Sequence, residues 1–311
     1  MRVIVACLLS CLLVACGGGA AKDDVTVIVA QGSSLKAAAN MLAEKGAVAS
    51  ASGFLRNAKM FGSGATIKPG EYKIEKGMTD ADVLALLQSG KTMLRFVAIP
   101  EGLPSVIVHD RLMAAPFLVG DVDVPAEGSV LPDSYSYERG EKRSAVLKRM
   151  QSAMTTTLEK LWSERKPTSV VTSPEQAIVL ASIVEKETGV AAERRTVAGV
   201  YSNRVRIGMK LQADPTVIYP VTKGRPLGRR ILKSELAANN GYNTYAMAGL
   251  PAGPIANPGK ASIAAVLDPE PTRALFFVAD GSGGHVFAET LSQHNANVEK
   301  WFALRKAKGE M

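Results

Sequence analysis

Residues 173–188 read Ser173-Pro174-Glu175-Gln176-Ala177-Ile178-Val179-Leu180-Ala181-Ser182-Ile183-Val184-Glu185-Lys186-Glu187-Thr188. The opening is a helix start: Ser at the cap, Pro at the first helical position, where its missing N–H is no loss, and Gln three residues after the cap. The eight nearly apolar residues from Ala177 to Val184 predict a buried helix. Burying its continuation into Glu-Lys-Glu is costly unless the carboxylates reach water or serve a purpose. The two glutamates are not equivalent. Glu187 lies four residues beyond Ile183 and seven beyond Leu180, so it prolongs the bulky apolar stripe. Glu185 lies below Ala181 and Ile178, about 200° away around the helix. Glu187 is therefore the one placed to sit in an apolar wall. Burial raises a carboxyl pKa, and a glutamic acid that keeps its proton near neutral pH can hand it to a leaving oxygen. The segment alone also fits a helix end that meets solvent with a charge run.

Upstream, Val146, Leu147, Met150, Met154, Leu158 and Leu161 recur at spacings of three and four and predict a long helix. Before it, from Pro100 to about Tyr137, the chain is broken by Pro and Gly, as in Glu127-Gly128-Ser129-Val130-Leu131-Pro132-Asp133-Ser134-Tyr135, and no helix is read there. Leu94-Arg95-Phe96-Val97-Ala98-Ile99 reads as a strand ending at Pro100-Glu101-Gly102, with a domain boundary just before it, near Met93. Ahead of that boundary, Val25-Thr26-Val27-Ile28-Val29 is a β-branched run suited to a strand, and Gln31-Gly32-Ser33-Ser34 suits a turn and helix cap. Leu35, Ala38, Ala39 and Leu42 follow at helical spacing to a stop at Gly46. A second helical piece covers Ser52 to Lys59, and Lys68 to Ile74 reads as turn then strand. Asp80 to Ser89 is a third helix, with Val83, Leu84 and Leu87 on one face and Gly90 ending it. The fold class is α+β: a small βααβ module over residues 25–93, then a larger mixed α+β domain over residues 94–311.

The 311 residues carry 37 Lys plus Arg against 29 Asp plus Glu, a net charge of +8, and 47% hydrophobic residues against 21% charged ones. That balance supplies a core and excludes wholesale disorder. All three cysteines, Cys7, Cys11 and Cys16, lie in the first sixteen residues. The body therefore has no disulfide framework, cysteine-ligated metal or cysteine nucleophile. His109, His285 and His294 are the only histidines and form no H-E-x-x-H, so neither a metal site nor a cofactor is expected. Arg2 and the apolar run Val3 to Ala15, closing on Leu13-Val14-Ala15-Cys16, read as an export signal over residues 1–16, with a Gly-rich tether at 17–24. The run is shorter than the roughly 20 residues of a membrane-spanning helix. Leu-Val-Ala-Cys resembles a bacterial lipoprotein cleavage box with Cys16 as the acylated residue; an uncleaved short anchor is the other reading. Either one tethers the body to a membrane outside the cytoplasm. Nucleic acid is no partner there, and no aromatic residues are interleaved with the basic ones. Anionic lipid, an acidic wall polymer or plain solvated surface accounts for the positive charge.

Beyond the central helix stand Asn203-Arg204-Val205, Leu211-Gln212-Ala213-Asp214-Pro215-Thr216, Gly241-Tyr242-Asn243-Thr244-Tyr245, Gly249-Leu250-Pro251, Pro254-Ile255-Ala256-Asn257-Pro258-Gly259, Gly284-His285-Val286-Phe287 and His294-Asn295. With Ala181 to Thr188, in order and at consistent spacing, they resemble the endolytic murein transglycosylase family of the bacterial inner membrane over nearly the whole chain after residue 25. The resemblance implies an enzyme that cuts nascent peptidoglycan glycan strands internally, between N-acetylmuramic acid and N-acetylglucosamine, and so terminates their elongation. One acid suffices for that cleavage when the sugar's own 6-hydroxyl attacks, leaving a 1,6-anhydromuramic end. The family's catalytic glutamate falls on Glu187. The family places its members on the inner membrane facing the periplasm, near peptidoglycan synthases, usually through a transmembrane helix; the lipoprotein-like start of this chain departs from that. The first module resembles a lysin-motif-like domain that contacts glycan, and a spacer that binds nothing has the same element order. Gln212, Thr216, Tyr219, Asn243 and Tyr245 suit sugar binding, with rings on pyranose faces and amides and hydroxyls on sugar hydroxyls. Each also fits a loop residue bonding its own backbone. Asp214 is a nearby carboxylate that reads equally as a turn residue before Pro215, Glu185 supports the site from the other helix face, and His285 orients substrate or caps a strand.

Overall fold

The computed structural model describes residues 20–309. The export signal, Cys16 and the first part of the tether lie outside the described residues. The chain divides into two compact units, residues 1–95 and 96–311.

In the first unit, β1 (Val25–Val29), α1 (Leu35–Glu44), α2 (Ala51–Phe61), β2 (Gly70–Ile74) and α3 (Asp80–Ser89) follow in order. β1 and β2 pair antiparallel, with Val27 opposite Tyr72. Along β1, Val27 and Val29 turn inward while Ile28 is exposed, the period-two pattern of a strand with one wet face. The inward residues close on Leu42, Phe54, Tyr72, Ile74 and Leu87 as one apolar cluster. Each helix has its own start signal. Ser34 accepts the N–H of Ala37 and Ser50 that of Gly53, while Thr79 and Asp82 form a reciprocal capping box. Gly90 ends α3 in the left-handed region that glycine adopts without strain.

The second unit is mostly helical. It runs β3 (Arg95–Ala98), α4 (Ser105–Ala114), β4 (Ser134–Tyr137), α5 (Arg143–Ser163), α6 (Pro174–Glu187), α7 (Arg194–Arg206), α8 (Asp214–Thr222), α9 (Lys233–Ala237), α10 (Lys260–Leu267), β5 (Phe276–Ala279), β6 (His285–Ala288) and α11 (Leu291–Ala307). The strands form two-stranded sheets, β3 with β4 and β5 with β6, the latter antiparallel. The molecule is thus of mixed α+β class. Helix α4 lies in the stretch where no helix was expected. It starts on Pro104, a residue that reads as a breaker, and buries only Ser105, Val108 and Leu112, too few for a strong periodic signal.

Helix α6 is the centre of this unit. Every residue from Ala177 to Val184 is buried, because α5, α7, α8 and α10 pack around it. Ser182 is accommodated inside by donating to Val179 O at 2.7 Å and accepting the N–H of Ile255 at 3.1 Å. Ser173 caps the helix by accepting the N–H of Gln176, whose side chain reaches back to Thr172. Among the described residues, no helix is long and apolar enough to cross a membrane.

Candidate active site

The three last side chains of α6 go three ways. Glu185 Oε2 accepts the N–H of Gly259 at 2.9 Å, at the start of α10. Lys186 Nζ donates to Gly102 O at 3.4 Å. Glu187 lines a cleft of about 540 Å³, with Tyr201 and Arg204 from α7, Gln212 and Asp214 from the segment that enters α8, and Tyr245. The segment 211–214 alternates: Leu211 and Ala213 are buried while Gln212 and Asp214 are exposed. Gln212 holds the left-handed backbone conformation at φ 52°, unusual for a residue with a side chain. Its N–H is tied to Thr244 O at 3.2 Å, so the surrounding fold enforces that conformation at the cleft wall.

The Glu187 carboxyl is pushed up to about 7. Burial is the largest cause, although part of the side chain stays open to the cleft, and the negative charge of Asp214 adds to it. Two groups oppose the rise. Tyr201 donates a hydrogen bond to the carboxyl, and the Arg204 guanidinium favours its ionised form. Arg204 is itself buried and spends its N–H groups on the backbone, Nε on Leu275 O at 2.7 Å and Nη1 on Leu211 O at 2.6 Å. It therefore joins α7 to the cleft-lining segments at both sides as well as placing a cation behind the acid. Tyr245 Oη donates to Asp214 Oδ1 at 2.6 Å. The arrangement is a carboxylic acid poised near neutrality beside a second, exposed carboxylate. Among the described residues no group of three or more His, Cys, Asp or Glu is placed to hold a metal ion.

Of the residues that the sequence points to, Glu187, Gln212, Asp214 and Tyr245 share this cleft. Thr216, Tyr219, Asn243, His285 and Glu185 are not among its lining residues, and their polar atoms are engaged elsewhere. Thr216 is fully buried and exchanges hydrogen bonds with Thr244, at 2.8 Å between hydroxyls. Asn243 donates to the carbonyls of Glu235, Leu236 and Ala238, closing the end of α9. Tyr219 bonds Glu127, and its ring lies 5.1 Å from that of Tyr242. His285 Nδ1 is 2.7 Å from Glu193 Oε2, and its backbone N–H donates to the same carboxylate. Conversely, the cleft includes Tyr201, Arg204, Phe276, Phe277 and His294, which the sequence does not assign to a site. Arg204 and His294 stand in the motifs quoted above. Their direction toward Glu187 has no one-dimensional signal.

Fold and cleft define an α+β protein with one near-neutral carboxylic acid at the end of a buried helix. The chain belongs to the YceG-like family, whose model matches residues 27–300. A protein of Bacillus subtilis named endolytic murein transglycosylase is 28% identical over 92% of this chain and 87% of its own length. A Streptococcus pneumoniae protein of the same name is 26% identical over 89% of this chain, which spans 58% of that longer protein. A crystal structure of a YceG-like protein from Listeria monocytogenes superposes with a TM-score of 0.56 at 26% identity, covering 88% of this chain and 98% of that one.

Proposed function

We propose that this protein is a peptidoglycan lytic transglycosylase in which Glu187 is both acid and base. The observation that carries the reading is a carboxyl at about 7 in a cleft large enough for saccharide, in a chain whose relatives are named murein transglycosylases. At neutral pH a large share of Glu187 holds its proton. It donates that proton to the oxygen between N-acetylmuramic acid and N-acetylglucosamine as the bond from the muramic C1 breaks. The substrate's own 2-acetamido oxygen stabilises C1. The Glu187 carboxylate then takes the proton of the muramic 6-hydroxyl while that oxygen closes on C1, which returns the proton to Glu187 and leaves a 1,6-anhydro end. No water is consumed. Internal cuts of this kind would terminate a growing strand. The first module would contact glycan, and lipid on Cys16 would hold the body at the inner membrane facing the periplasm, within reach of the synthases that make its substrate.

Asp214 favours one competing chemistry. A second carboxylate in the cleft is what a hydrolase uses to direct water to C1, and the product of that reaction is heavier by one water. Mass spectrometry of fragments released from purified glycan separates the two, and a scaffold that only binds glycan releases none. Glu187→Gln keeps nearly the shape of the protonated acid and is expected to lower the release of anhydro ends by at least about 10²–10⁴-fold. Near-normal release by that variant would refute the assignment. Labelled-lipid incorporation checks the anchor: the label is expected on wild type and absent from Cys16→Ala.

A further inference from the structure

The three histidines differ in what holds them. His109 Nδ1 lies 3.5 Å from Asp110 and His285 Nδ1 2.7 Å from Glu193. His294 Nδ1 is buried and has no hydrogen-bond partner, while the ring lines the cleft that contains Glu187. The ring is nonetheless fixed. It stacks on Phe276 with centroids 5.2 Å apart and planes at 22°, and it follows directly on a capping box in which Thr290 and Gln293 bond reciprocally. No residue of α11 is buried as part of a core, so packing alone does not call for a histidine here.

We infer that His294 is a saccharide-binding residue, and that β5 and α11 supply a wall of the cleft on which it gives a hydrogen bond to a sugar oxygen. A neutral imidazole carries one N–H and one lone pair. A buried N–H without a partner costs more than a buried lone pair, so the Nδ1 position keeps the lone pair and the N–H sits on Nε2. Nε2 is the nitrogen left to meet a ligand. Burial, and after it the charge of Arg204, holds the His294 pKa below the usual histidine range, which favours the neutral ring. Phe276, on which His294 stacks and over which the Arg204 guanidinium lies at 5.4 Å, lines the same cleft and brings apolar ring edges to it. A polar donor beside apolar ring atoms suits a sugar, which presents hydroxyls and C–H groups together.

The assignment rests on the glycan-cleaving reading, and its test keeps the two apart. Kinetics of fragment release are measured for wild type, His294→Phe and His294→Gln, with thermal melts of all three. Phe keeps a ring to stack on Phe276 and removes the donor; Gln restores an amide N–H near Nε2. Loss of one neutral hydrogen bond to substrate predicts a rise in KM of about 3- to 10-fold in His294→Phe. Because that bond is made in the bound ground state as well as the transition state, kcat is expected to stay within about two-fold, and Gln is expected to recover most of the KM. An unchanged KM in His294→Phe with an active wild type would overturn the role of His294 alone. So would a Gln variant no better than Phe, with both melting lower than wild type, since that marks packing. A wild type that releases no fragments would refute the glycan reading itself and this role with it.

Discussion

A carboxyl whose pKa rises from 4.5 to about 7 binds its proton more tightly in the folded chain than in the unfolded one. The stability linked to Glu187 is therefore complete below about pH 4.5 and is lost as pH rises through 7. At 1.36 kcal/mol per pH unit of difference, the folded state above pH 7 is weakened by about 3 kcal/mol relative to a chain that never ionises there. Glu187→Gln removes that penalty. It is expected to melt with wild type at pH 4 and several degrees above it at pH 8, which calorimetry at the two pH values checks. Coincident melting at pH 8 would mean that the carboxyl is not desolvated as described. In the wild type the same titration predicts that kcat/KM falls as pH rises above about 7, because the free enzyme loses its acid. Glu187 was legible in the sequence because a long apolar run ending on an acid is anomalous wherever it occurs. Its partners were not. Tyr201 and Arg204 meet it from the next helix, and their residue types are equally common on solvated helix faces. Thr216 and Asn243 show the converse: sequence displays polarity without direction, and these two satisfy backbone and neighbouring hydroxyl groups in the interior.

At the scale of elements, α7 must run close to the turn after α10 for Tyr201 and Arg204 to reach the cleft. A Cβ on Gly199 would stand 2.5 Å from Glu270 O and 2.8 Å from Thr272 Cγ2. That turn cannot retreat freely, since Glu270 N–H donates to Arg195 O at 3.0 Å and Asn203 Nδ2 donates to Thr272 O at 2.8 Å. Two effects compete in Gly199→Ala. Helix propensity favours alanine by about 1 kcal/mol. Overpacking against a held carbonyl costs typically about 1–3 kcal/mol and outweighs that gain. The variant is expected to melt below wild type and to lose activity through displaced α7; a higher melting temperature would show that the turn yields. The elements with autonomous signals were the readable ones. The Ser34 and Ser173 caps, the β-branched run of β1 and the eight nearly apolar residues of α6 each follow from local rules. Helix α4 obeys none of them strongly. Its short span between Pro104 and Pro116 is fixed by the burial of Val108 and Leu112 in a cluster with Val97, Ile99, Val146 and Met150, residues far apart in the chain.

At the scale of the whole molecule, each of the two units has its own core. Residues 21–87 supply the apolar cluster of the first. The clusters around α6 and around α4 and α5 draw only on residues of the second, from Val97 onward. Every group of the Glu187 cleft likewise belongs to the second unit. A segment of more than 200 residues with two apolar clusters has the size at which a domain buries enough surface to offset its conformational entropy unaided. Residues 96–311 are therefore expected to fold alone. The fragment should show a helical circular dichroism spectrum and one cooperative melt, and it should retain the cleft titration of Glu187. Fragment release from soluble glycan should continue with kcat near that of the full chain, because no group assigned to bond cleavage is removed. If the first module contacts glycan, its absence raises KM for strands that engage it and leaves kcat unchanged. A fragment that gives no cooperative transition would show that the second unit depends on the first for its stability, and the division at residue 95 would then describe contacts rather than folding units.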